Sequence, residues 1–102
     1  MGNLDRNGYG VSIMQDDLSR CYFCGKSTGK LDRHEVFGAS NRKKSKELGL
    51  WVMLCHHPCH MQMAHGNKHM MDMLHWRGQI AAMNTYGWSI EDFRYVIGRN
   101  YL

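Results

Sequence analysis

The chain has 102 residues, 43% of them hydrophobic, which suits one domain and leaves too little to fill a second core. Thirteen Lys and Arg against nine Asp and Glu give a formal charge of +4, compatible with a polyanionic partner but too modest to establish one. No stretch approaches the roughly 18 apolar residues of a membrane span, and Met1-Gly-Asn-Leu-Asp-Arg6 carries no apolar signal core, so a soluble cytosolic protein is expected.

Residues 1–10 hold three Gly and two Asn without periodicity, which predicts an arm, reaching to residue 17, that is flexible or only draped on the domain. Cys21-Tyr-Phe-Cys24-Gly25 has the form of a zinc knuckle, two thiolates offered from a tight turn. Residues 31–37 alternate imperfectly and predict a strand, with Gly38-Ala-Ser-Asn41 as the turn after it. Arg42, Lys43, Lys44 and Lys46 put four positive charges into six residues, a solvated loop or short helix open to phosphate contact. The apolar run Leu50-Trp-Val-Met-Leu54 predicts a buried strand that delivers Cys55.

Helix is predicted from Pro58 onward, with His60, Met61, Ala64 and His65 within two turns. A second helix is predicted from about residue 68 to 84, with Met70, Met71, Leu74, Ile80 and Met83 as core positions. Thr85-Tyr-Gly-Trp88 breaks it. Ser89 then caps a helix over 90–97, with Glu91 and Asp92 in its first turn and Gly98 ending it.

In a reducing cytosol, four clustered cysteines point to metal rather than disulfides, and Cys21, Cys24, Cys55 and Cys59 offer the four ligands of a structural zinc. The Cys55-x3-Cys59 spacing is one residue long, so His56 or His57 could replace a cysteine. Five of the seven histidines fall between positions 56 and 69, more than structural use predicts. On a regular helix His60 and His65 diverge by about 140 degrees, so joint ligation requires a distorted helix. His65 and His69 have i,i+4 spacing but flank Gly66-Asn67, and either His65 or His69 can supply the further ligand.

The order of Cys-x2-Cys, a strand dipeptide His34-Glu35, an Asn in the following loop, then Leu-Cys-x3-Cys-His-x4-His resembles the HNH nuclease family, more narrowly the small HNH proteins of phages and prophages. Supporting segments are His34-Glu-Val-Phe-Gly38, Asn41-Arg-Lys-Lys-Ser45, Gly49-Leu-Trp-Val-Met-Leu-Cys55 and Gly98-Arg-Asn-Tyr-Leu102. The resemblance covers residues 18–102 and implies an α+β fold, a zinc-stapled ββα-metal core with C-terminal helices. It implies a DNA endonuclease or nickase that uses a His general base and a divalent ion, Mg²⁺ or Mn²⁺, with Zn²⁺ or Ni²⁺ as further options. In that pattern His34 is the base and His60 and His65 ligate the catalytic ion.

The dipeptide departs from the pattern, because Arg33 precedes His34 and cannot bind metal, leaving Glu35 or Asp32 to substitute. The alternative register makes His34 a ligand and Glu35 the base. The place where the pattern puts its orienting Asn reads Gly49-Leu50, so that role passes to Asn41 or is missing, and Arg33, Arg42, Lys43, Lys44 and Lys46 become the DNA contacts. A lone unit has one active site, so a monomer nicks and a homodimer can cut both strands. Two other classes fit parts of the sequence: a zinc-stapled DNA-binding module without catalysis, and a phage module whose Met-rich helices bind a protein.

Overall fold

A computed structural model describes residues 4–102; residues 1–3 of the expected arm lie outside them. The elements run β1 (Leu31–Glu35), a 3₁₀ turn (Ala39–Asn41), α1 (Arg42–Glu47), β2 (Trp51–Cys55), a π-wound segment (His56–Ala64), α2 (Lys68–Tyr86) and α3 (Ile90–Ile97). The domain is α+β, with β1 and β2 forming a two-stranded antiparallel sheet.

Strand β1 ends two residues before the expected limit, and Val36 and Phe37 turn into the core instead, 3% and 2% exposed. The register sets Asp32 opposite Leu54, His34 opposite Val52 and Glu35 opposite Trp51. Because successive side chains point to opposite faces, Asp32 and His34 share the face of the buried Val52 and Leu54. Arg33 and Glu35 take the other face, beside Met53 and Trp51.

That second face is covered by the N-terminal segment, so the described part of the expected arm lies draped on the domain. The Trp51 indole donates to the Gly10 carbonyl at 2.9 Å, the Ser12 hydroxyl donates to the Trp51 carbonyl at 2.7 Å, and Met53 N–H donates to Gln15 Oε1 at 2.8 Å. Ile13 N–H donates to the Gly49 carbonyl at 2.9 Å. Gly49 has φ +77°, and a Cβ there would run into the Val11 carbonyl, so the arm's close seat depends on this glycine. The physical reason is edge satisfaction: a two-stranded sheet leaves backbone groups of β2 unpaired, and the arm supplies partners. Such contacts span about 40 positions of sequence and leave no local signal.

The helices follow their signals. Ser89 and Asp92 form a reciprocal capping box, and Gly98 closes α3 at φ +99°. Asn67 caps α2 by accepting from Met70 N–H. The buried stripe of α2 is Leu74, Gly78, Gln79 and Ala82, while the methionines expected in the core are only partly buried. At Gly78 a Cβ would lie 3.0 Å from both Val36 and Phe37, so α2 packs directly on the end of β1. Gln79, fully buried, donates to Asn100 Oδ1 at 2.8 Å and accepts from Tyr101 N–H at 2.6 Å, tying the C-terminal residues to α2. No helix among the described residues is long and apolar enough to cross a membrane.

Candidate metal centre

The four cysteines lie together, with their sulfurs all within 4.8 Å of one another. Gly25 N–H closes the knuckle turn on the Cys21 carbonyl at 2.9 Å, and Tyr22 N–H docks the knuckle on Met53 of β2 at 2.8 Å. Cys55 arrives from the end of β2 and Cys59 from the π-wound segment. Burial raises the Cys21 thiol, but N–H donors from Cys24, Cys55 and Phe23 outweigh it and bring the pKa down to about 6. The cluster is compatible with a structural metal such as zinc, whose tetrahedral four-sulfur shell it matches in composition. His56 and His57 are not part of it.

A second group forms where the strand face meets the π-wound segment. The ring nitrogens of His34, His60 and His65 lie within 4.8 Å of one another, and His60 Nε2 stands 3.2 Å from His65 Nε2. Two nitrogens bound at 2.0–2.1 Å in a tetrahedral shell are about 3.3–3.4 Å apart, so this pair has the spacing of two ligands to one ion. The five-residue separation that a regular helix would splay is accommodated by π winding, where i and i+5 come into register along the axis. The winding is interrupted at His57, whose φ −127° and ψ 135° are extended. His69, the second residue of α2, is exposed and lies outside the group.

His34 meets both helix-side rings edge-on, with centroids at 5.3 Å from His60 and 5.2 Å from His65. Burial, then the charges of His60 and His65, lower its pKa to about 4, so the ring is neutral near pH 7. Behind the pair sits Asp32, whose Oδ2 accepts from His60 Nδ1 at 2.8 Å and from His56 Nδ1 at 2.6 Å. Burial raises the Asp32 pKa, but the hydrogen bonds from His56 and His60 prevail and hold it near 2.

The trio opens onto a cleft of about 380 Å³ lined by Arg33, His34, Glu35, Gly38, Ala39, Arg42, His60 and His65. An adjoining cavity of about 350 Å³ shares His34 and His65 and continues past Met71, His75 and Tyr101. No sequence pattern marks His75, within α2, or Tyr101, next to the last residue given, as part of a site.

Glu35 lies on the opposite strand face from His34, and its carboxylate accepts from Arg42 Nε and Tyr9 Oη, each at 2.7 Å. It reaches the rim of the cleft but stands outside the nitrogen group. The Asn41 side-chain amide donates to the Ile97 carbonyl at 2.8 Å, fastening the turn to α3. Among the five expected DNA contacts, Arg33 pairs with Asp5 at 2.8 Å and stacks on Tyr9 and Trp51, Arg42 pairs with Glu35, and Lys44 donates to the Val96 carbonyl at 2.7 Å. Lys46 sits 4.7 Å from the Tyr9 ring centroid, and Lys43 is exposed. The sequence offers Asp32 only as a substitute ligand; its position two residues before His34, on the same face of a strand, is the signal for its place behind the pair. Comparison with protein-family models, curated proteins and solved structures found no match.

Proposed function

We propose that the chain is a metal-dependent endonuclease or nickase of the HNH type, hydrolysing DNA phosphodiester bonds in the cleft beside His34, with zinc on the four cysteines as a brace. The observation that carries this reading is the 3.2 Å spacing of His60 and His65 Nε2 beneath a strand histidine, at the floor of a cleft rimmed by Arg33 and Arg42. His60 and His65 would hold a divalent ion, which supplies charge stabilisation on the phosphate and the leaving oxygen. His34, neutral and facing the same space, takes the proton from an attacking water. Arg33 and Arg42, paired with Asp5 and Glu35, stand at the rim, where a phosphate backbone would enter and compete for them. The donor set is imidazole, which favours Zn²⁺ or Ni²⁺ and accepts Mn²⁺ more readily than Mg²⁺.

The test is nicking of supercoiled plasmid by zinc-loaded protein with added Mg²⁺, Mn²⁺ or Ni²⁺. His34→Ala should lower the rate by about 100- to 10,000-fold while the second ion stays bound, the signature of a base. His60→Ala and His65→Ala should lose that ion. Wild-type protein that binds DNA without metal-dependent nicking would overturn the nuclease reading. Loss of the ion in His34→Ala would transfer His34 from base to ligand.

A further inference from the structure

Asp32 sends a single carboxylate oxygen to two imidazoles of the π-wound segment, His56 and His60, and only one of these belongs to the nitrogen trio. The Asp32 side chain is 14% exposed and also lies 3.7 Å from Lys30 Nζ through its other oxygen. A carboxylate has no proton to give near neutral pH, so both Nδ1 atoms must be the donors. For His60 this fixes the tautomer: hydrogen on Nδ1, lone pair on Nε2, and Nε2 is the atom that stands 3.2 Å from His65.

We infer that Asp32 is a positioning residue for the second ion site, holding His60 in the one tautomer and ring orientation that aims a bare Nε2 at the cleft, while its bond to His56 pins the π-wound segment to β1. The inference rests on the ion-binding reading of His60 and His65 proposed above. The division of labour follows from chemistry. A carboxylate behind a ligating imidazole raises its basicity and fixes its plane, and losing such a partner typically weakens metal binding by about 10- to 100-fold. His56 lies outside the trio at the cleft, although with Asp32 and His60 it forms a separate group whose ligand atoms lie within 4.8 Å of one another. Its bond supplies attachment, so the two halves of the Asp32 contact are separable by experiment.

Titrating Ni²⁺ into zinc-loaded protein by calorimetry, with zinc content and circular dichroism as checks on the fold, makes the separation. Asp32→Asn retains the shape and one carbonyl acceptor but loses the charge; it should keep its zinc and bind Ni²⁺ about 10- to 100-fold more weakly. Bound Co²⁺ should show an altered visible spectrum in the same variant, a change in ligand field that a purely structural contact would not produce. His56→Ala should lower thermal stability and leave Ni²⁺ affinity near wild type. Equal Ni²⁺ affinity in folded Asp32→Asn and wild type would overturn the inference and leave the ion site standing. Wild-type protein that takes up no ion beyond its zinc would overturn both. Asp32→Ser carries the same expectation should the Asn variant not fold, and failure of both to fold would reduce Asp32 to a structural staple.

Discussion

At Asn41 the side-chain amide donates to the Ile97 carbonyl, so the residue expected to orient the catalytic His acts as a clamp between the turn and α3. Asn41→Ala should therefore cost about 1 kcal/mol in urea unfolding and leave plasmid nicking unchanged. Loss of nicking with stability intact would restore the orienting role. Glu35 is a similar case. Its carboxylate, 7% exposed, joins the arm through Tyr9 and α1 through Arg42. Burial, then the hydrogen bond to Glu35, raises the Tyr9 pKa to about 12. Glu35→Gln should destabilise the protein by about 1–3 kcal/mol, with the exposed Arg42 end contributing least, and should lower the Tyr9 pKa measured by ultraviolet titration. An unmoved Tyr9 titration would show that the contact is not made in solution.

Among the elements, β1 and α2 each carry a partly buried histidine whose pKa is lowered first by burial, His34 and His75. The sign of the linkage follows. Between the folded pKa and the unfolded value near 6.5 the unfolded chain binds more protons, so stability rises with pH across that interval and is lost as pH falls through it. In buffer without added divalent ions, the midpoint of urea unfolding should hold from about pH 8 to 6.5 and decline toward pH 5. His75→Gln should flatten part of that decline, and an unchanged slope would remove His75 from the account. The packing of α2 on β1 has its own probe. Gly78→Ala places a methyl against Val36 and Phe37 with no flexible end to yield, and should cost about 1–3 kcal/mol. A neutral effect would mean that the helix sits farther from the strand than 3.0 Å contacts imply.

For the molecule as a whole, the cysteine cluster closes the knuckle, the end of β2 and the start of the π-wound segment onto one point. Among the described residues, two short strands and three α-helices around a small core give a 102-residue domain little other closure. Cys55→Ala should lose zinc and cooperative unfolding together, whereas His60→Ala should keep both; metal analysis and thermal melts read the difference. Retention of a cooperative melt without zinc would make the cluster dispensable.

The sequence by itself determined the parts whose signals are local. Capping residues placed α3, apolar runs and alternation placed the strands within two residues, and paired cysteines announced their cluster, because caps, periodicity and ligand spacing act over a few positions. It also marked His34 and His60 as candidates and left His65 and His69 as alternatives beside them. Tertiary structure decided what each residue meets. The strand face separated His34 from Glu35, π winding brought His60 to His65 and left His69 outside, and the arm closed over the second face of the sheet. These outcomes depend on register, helical pitch and backbone partners supplied from about 40 residues away, which local residue order does not encode.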